Sequence, residues 1–396
     1  MRAIAAALAA LGAAAALPAA SSPQSPTRKC AGFVESPAFS PNGEWVAYVR
    51  SQPTGPPPEC SETRVLQVIR AAEPSLRRTL ARNVVYWQWS PRRDQLAVVS
   101  GQDDPQKRRL RLVRPRGSAR TIAASYFYHR WSPGGRFIAF TTAKGDLRVV
   151  RARGGRIRTI TRGTIWDWSP GGRRIVYQMP GYALRTVRAD GTDDRFLAEG
   201  TRADWSPDGR WIAFHDRSSM YVVRPDGSNR RELDPGWEYP YFLWSPQGRK
   251  ATLHQPSFIE SDGRTVVADA DTGEARSLGG GAPLWSPTGR RIAISRVWDE
   301  PGVELVRPDG THRIRVASGP LVAYSWSRTG RRLLIVDREA IYLARSTGAG
   351  FREVAEGRDP SWAPDGRRFA FIGESPCGVF LRDLRGHPTR RLARCS

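Results

Sequence analysis

Lysine is almost missing from this 396-residue chain: Lys29, Lys107, Lys144 and Lys250 are the only four, and arginine supplies the other 58 of the 62 basic residues. Against 38 acidic residues the formal charge is +24. So lopsided a ratio, in a chain rich in Ala, Gly and Pro, is what a GC-rich bacterial coding sequence produces. The charge alone therefore does not call for a polyanionic partner. Phosphate-cradling loops of the Walker and Rossmann kinds are absent, as are Cys-x-x-Cys and His-Glu-x-x-His. The commonest nucleotide, redox and zinc-protease chemistries go with them. No Gly-x-Ser-x-Gly pentad occurs either, which excludes a fused hydrolase domain with that nucleophile. Beyond Leu17 no apolar run approaches the roughly 20 residues of a membrane span.

At the N-terminus, Met1-Arg2 is followed by the apolar run Ala3 to Leu17, too short to span a bilayer, and then by the small residues Pro18-Ala19-Ala20. These features predict a signal peptide over residues 1–20, cleaved near Ala20, and a Ser/Pro-rich linker over 21–35. Lipidation is excluded because the first cysteine, Cys30, lies well beyond the apolar run. The expected location is extracytoplasmic, in the periplasm or cell wall or secreted. Four cysteines in an exported chain favour disulfides. Cys377 and Cys395 flank two β-like runs equidistant from the turn Arg385-Gly386-His387-Pro388 and should pair across it, leaving Cys30 to pair with Cys60.

The tetrad Trp-Ser-Pro-x recurs, starting at Phe39, Trp89, Trp131, Trp168, Trp205, Trp244, Trp285, Trp326 and Trp362, with a spacing of about 40 residues. The fullest copy runs from Trp205-Ser206-Pro207-Asp208-Gly209-Arg210 through Ile212-Ala213-Phe214, Tyr221-Val222-Val223 and Asp226-Gly227 to Leu233. Ser206 can bond nearby backbone, Pro207 presets φ for a turn, and Gly209 supplies the positive φ that closes it. A strand apolar on both faces follows, as where one sheet is sandwiched between others. Four antiparallel strands per copy make one blade, and a blade cannot bury both faces alone. The expectation is an all-β propeller of nine four-stranded blades over 36–396, with eight blades and a displaced last unit as the alternative.

The phrase Trp-Ser-Pro-Asp-Gly-Arg-x-Ile-Ala-Phe followed by Tyr-Val-Val-x-x-Asp-Gly resembles the WD-repeat-like propeller family of TolB, across residues 36–396. Phe39, Arg92-Arg93-Asp94, Arg328 and Ala363 depart from its pattern. The resemblance implies a propeller fold. It does not fix function, since such repeats serve envelope scaffolds, protease gates and a few lyases. The short linker leaves no room for the α/β domain that TolB carries, so a role in the Tol system is not implied.

Arginine follows the turn Gly at Arg136, Arg173, Arg210, Arg249, Arg290, Arg331 and Arg367, and all seven should project from one face. That row suits an anionic polymer, or equally an ordinary solvated rim. Asp269-x-Asp271 resembles a calcium loop without its later ligands and is set aside. Ten residues after the anchors stand Gln178, His215 and His254 in consecutive copies. Some oligogalacturonate lyases, which the repeat family resembles, bind a divalent metal through propeller histidines, so these three form an alternative metal set. Rim histidines bonded to loop backbone would explain them as well.

The segments before the anchors are aromatic: Tyr86-Trp87, Tyr126-Phe127-Tyr128-His129, Trp166, Trp237, Tyr239, Tyr241-Phe242 and Tyr324. Arg130, Asp167 and Asp204 each stand one residue before an anchor. In a propeller the first strand lines the channel. Tyr128, His129, Arg130, Trp166, Asp167, Asp204, Tyr239 and Tyr241 are accordingly the candidate ligand residues, suited to a sugar or peptide by stacking and charge-assisted hydrogen bonds. The same rings could simply fill the mouth between blades. The leading expectation is a monomeric, non-catalytic module without a cofactor that binds a protein or anionic envelope polymer, not nucleic acid. The competing one is a metal-assisted polysaccharide lyase or hydrolase on the rim of His215 and His254.

Overall fold

The computed structural model describes residues 33–54, 61–101, 107–124, 126–216, 219–234, 241–256 and 262–395. The expected signal peptide lies outside them, as do Cys30, Cys60, Trp237 and Tyr239. Every extended element among these residues is a β-strand, and no helix there is long and apolar enough to cross a membrane. Strands β1 to β36, in chain order, form nine antiparallel sheets of four, each built from consecutive strands. The protein is a nine-bladed propeller, and the eight-blade alternative falls.

The recurring turn accounts for the regularity. In blade 5, Ser206 N donates to Trp211 O at 2.9 Å and Gly209 N to Ser206 O at 2.9 Å, with Gly209 at φ 75°. The Ser206 hydroxyl accepts from Trp211 N at 2.9 Å and donates to Asp208, whose Oδ1 accepts from Arg210 N at 3.0 Å. One serine and one aspartate thus satisfy the exposed polar groups of a tight hairpin. In blade 9, where Ala363 replaces the serine, Ala363 N still donates to Arg368 O at 2.8 Å, and Asp365 Oδ1 takes Arg367 N and Arg368 N. The departure removes a side-chain bond and keeps the turn.

First strands of neighbouring blades converge: β13 (Thr164–Trp168) lies against both β9 (Tyr126–Trp131) and β17 (Thr201–Trp205). The anchor tryptophans join them. Trp168 Nε1 donates to Arg130 O at 3.2 Å, Trp244 Nε1 to Asp204 O at 3.3 Å and Trp362 Nε1 to Ser325 O at 3.2 Å. In each case the acceptor is the residue before the preceding blade's anchor. Trp205 is buried in the seam between Val176 and Leu184 of blade 4 and Ile212 and Phe214 of its own blade.

The chain divides into two compact units, Tyr86–Gly319 with blades 2–7, and blade 1 with blades 8 and 9. In the latter, blade 1 packs on blade 9 through Val34, Val46 and Tyr48 against Ala370, Ile372 and Val379. No strand is exchanged between these two blades. Arg390 of blade 9 also donates to the Ala71 and Ala72 carbonyls. Cys377 and Cys395 are disulfide-bonded with their Cα atoms 5.5 Å apart, as the hairpin symmetry predicts.

Candidate functional site

Register fixes where each candidate residue stands. Tyr128 lies opposite Thr141, Thr164 opposite Gln178, Thr201 opposite His215 and Tyr241 opposite His254. The residues ten after the anchors and the starts of the first strands therefore share one rim. Arg130, Asp167 and Asp204 lie deeper, opposite Ala139, Val176 and Ala213, two residues or ~7 Å further along.

Bulges adjust the two aspartates. The ladder of blade 4 shifts between Ile165 and Asp167, leaving Trp166 unpaired in register, and that of blade 5 shifts between Thr201 and Asp204 around Arg202 at φ 52°. Bulges of this kind re-aim side chains. Arg130 Nη1 comes within 3.7 Å of Asp167 Oδ1 and its Nη2 within 3.8 Å of Asp204 Oδ1. One guanidinium from blade 3 faces two carboxylates from blades 4 and 5. Asp167 Oδ2 also accepts from Trp205 N at 3.1 Å, tying blade 4 to blade 5.

Around this triad, the Arg130 guanidinium sits 5.9 Å from the Tyr128 ring centre, and Tyr86, 46% exposed, packs on the His129 ring at 5.7 Å. His129 itself is buried, and burial together with Arg130 lowers its pKa to about 3. Trp166 is half-buried against the blade 4–5 core, and its Nε1 donates to Gln178 Oε1 at 3.0 Å.

The charges do not balance. Burial, aided by the charge of Asp204, pushes the Asp167 carboxyl up to about 7, and Arg130 with two backbone N–H groups only partly offsets this. Burial raises Asp204 as well. Two acids against one base leave the pair short of positive charge, which favours a proton or an added cation beside them.

His215 and His254 are both buried, and burial lowers each to about 4, so both are neutral at pH 7. The Thr265 hydroxyl donates to Gly281 O at 2.6 Å and lies 2.8 Å from His254 Nδ1, and the Arg264 backbone also bonds the ring. Tyr241 stacks on the same ring at 6.5 Å. Gln178 is engaged by Trp166. Among the described residues no group of three or more His, Cys, Asp or Glu side chains is placed to hold a metal ion.

All seven arginines that follow the turn glycine are exposed. Asp271 is held by arginine, within 4 Å of Arg210, Arg224 and Arg249, and accepts from Trp211 Nε1 at 3.0 Å. Three cations around it explain why the calcium pattern is only apparent. Sequence reading missed the glycines that enter first strands. A Cβ on Gly163 would lie 2.6 Å from Gln178 O, on Gly200 2.4 Å from His215 O, and on Gly357 2.1 Å from Ile372 O. The recurrence of Gly fifteen residues before the next-strand position is a signal in the sequence, but its meaning lies in packing against the second strand.

No protein-family model and no curated protein matches this chain by sequence. Among solved structures, a eukaryotic initiation factor superposes with a TM-score of 0.62 at 10% identity, covering 83% of this chain and 94% of its own. That likeness bears on fold alone. An oligogalacturonate lyase in complex with manganese gives a TM-score of 0.41 at 13% identity, covering 68% of this chain and 86% of its own. TolB from Acinetobacter baumannii gives 0.37 at 15% identity, covering 68% and 79%.

Proposed function

We propose that this chain is an exported, TolB-like binding module that holds a protein or peptide ligand by a cationic group at the axis of blades 3–5. The observation that carries the reading is the pairing of Asp167 and Asp204 with the single guanidinium of Arg130. An incoming ammonium or guanidinium would supply the positive charge that the two acids lack, while Tyr86, Tyr128 and Trp166 offer ring faces to its aliphatic stem. Export is supported by the features of residues 1–20 and by the Cys377–Cys395 bond. The module is read as a monomer without a cofactor or chemistry of its own.

The test is calorimetric titration with short peptides carrying one lysine, against the same peptides acetylated on that lysine. Binding that needs the free amine, and that weakens about tenfold in Asp167→Asn/Asp204→Asn, supports the reading. Acetylated peptides binding equally well would overturn it. The two neutral imidazoles of His215 and His254 on one rim keep the lyase or hydrolase reading as the alternative. Stoichiometric Mn, Ca or Zn in protein purified without an affinity tag, lost in His215→Ala/His254→Ala, would replace the binding module with that enzyme.

A further inference from the structure

We propose that the turn face of blades 3–5 carries a second site, independent of the axial one, for a ligand bearing several phosphate or sulfate groups. A cleft of about 790 Å³ opens there. Arg151, Arg156 and Arg158 line it from blade 3, and Arg173, Arg174 and Arg188 from blade 4. Two lining carboxylates oppose these six guanidiniums, and each is engaged by its own turn. Asp190 Oδ1 accepts from Thr192 N and Oγ1 at 3.0 and 2.6 Å, and Asp208 Oδ1 from Ser206 Oγ and Arg210 N at 2.6 and 3.0 Å.

Among the six arginines, Arg174 and Arg188 share Asp193, and Arg158 donates to Asp190 O at 3.1 Å. No carboxylate of the described residues forms an ion pair with Arg151, Arg156 or Arg173. Phe137, Pro170, Trp205 and Pro225 complete the walls with apolar surface. Guanidiniums that line one cleft from two blades suit a tetrahedral oxyanion, whose several terminal oxygens can accept from different directions. A planar carboxylate satisfies one bidentate fork.

The repeat supplies a place from which to probe the cleft. The turn position that is Asp208 in blade 5 and Asp365 in blade 9 is Gly134 in blade 3 and Gly171 in blade 4. Gly171 lines the cleft, and a Cβ added there meets nothing within 4 Å. Space would admit the aspartate found in other copies. With glycine there, Asp190 and Asp208 remain the two carboxylates of the cleft.

That difference provides the test. Gly171→Asp places a carboxylate in the cleft with Ser169 poised to bond it as Ser206 bonds Asp208. Thr329→Asp puts the same charge at the same turn position of blade 8, outside the cleft. Affinity for tripolyphosphate and for a heparin-derived hexasaccharide is read by calorimetry, with unfolding midpoints as the check on folding. Gly171→Asp should weaken binding about tenfold and Thr329→Asp less than about twofold. Preference for tripolyphosphate would identify a small phosphate ligand, and preference for the hexasaccharide a sulfated polymer. Equal losses in the two variants, or no binding by the native chain, overturns the proposal, because the attraction then belongs to the overall charge. Polygalacturonate binding as tightly as the hexasaccharide overturns the oxyanion assignment. Should Gly171→Asp fail to fold, Arg156→Gln/Arg173→Gln makes the same comparison. The lysine peptides of the axial test should not compete for this binding, so failure of the axial reading and failure of this one are separable.

Discussion

Asp193 and Asp167 belong to the same blade, one at its outer hairpin and the other on its axis-lining strand, and their surroundings are opposite. Arg174, Arg188 and Arg195 all lie within ion-pair distance of Asp193, and the bonds from Arg174 and Arg195 hold its carboxyl below the usual range. Asp167 shares one more distant guanidinium with a second acid and is pushed up. At the outer edge, cations outnumber acids, as composition dictates. At the axis the ratio is inverted in a chain of net charge +24, so the axial acids run against composition. Nor does the fold require them: the same place before the anchor is held by Leu243, Leu284, Ser325 and Ser361 in blades 6–9.

Truncating the scaffold should cost most. Trp205→Ala, which empties the seam between blades 4 and 5, should lower stability by ~3–5 kcal/mol in urea unfolding. Trp166→Ala and Tyr128→Ala, both half-buried, should cost clearly less, and an equal cost would assign the aromatic belt to the core.

Next in size is acid lability. The unfolded chain binds a proton on each histidine below about pH 6.5, whereas His215 and His254 refuse it until about pH 4 when folded. Their contribution is therefore complete above pH 6.5 and is lost as pH falls towards 4, on the order of 1 kcal/mol or more per histidine. His215→Gln/His254→Gln should make that limb shallower, leaving the share of His129.

The axial acids act with the opposite sign. Between the ordinary carboxylate range and about pH 7 the folded chain keeps a proton on Asp167 that the unfolded chain releases, so stability declines as pH rises through this window. Asp204→Asn removes the like charge and should lower the Asp167 midpoint, followed by carboxyl-carbon NMR, by about one unit. An unmoved midpoint would mean that burial alone raises it.

The smallest effect belongs to the outer acid. Asp193→Asn should shift the unfolding midpoint slightly at low salt and not at all at high salt, as screening predicts for an exposed cluster.

Local chemistry made the scaffold legible. Each Ser-Pro-x-Gly turn closes on its own residues, so the period, the strand order, the pairing of Cys377 with Cys395 and the exposed arginine row could all be read from one strand of text. Arg130, Asp167 and Asp204 were visible as charges in a repeated place. Their convergence was not, because it depends on bulges at Ile165–Asp167 and Thr201–Asp204 that no local residue type announces. The indole bonds from Trp168, Trp244 and Trp362 to the preceding blade were hidden for the same reason, since donor and acceptor lie almost a full repeat apart. His129 reads as a channel residue in sequence, yet strand alternation turns it into the blade, where it is buried.

The way the first and last blades meet has a mechanical consequence. Because they exchange no strand, side-chain packing and the Arg390 contacts are what holds them together among the described residues. The final strand, β36 (Arg390–Arg394), would be the first to peel under tension, but Cys395 is bonded to Cys377 at the start of β35 (Cys377–Asp383). A pull applied at Cys395 therefore bypasses β36 and loads β35, which is hydrogen-bonded on both sides. Under force the ring should part at its seam as whole blades, with the last blade intact, and reducing the disulfide should convert that single rupture into strand-by-strand unravelling.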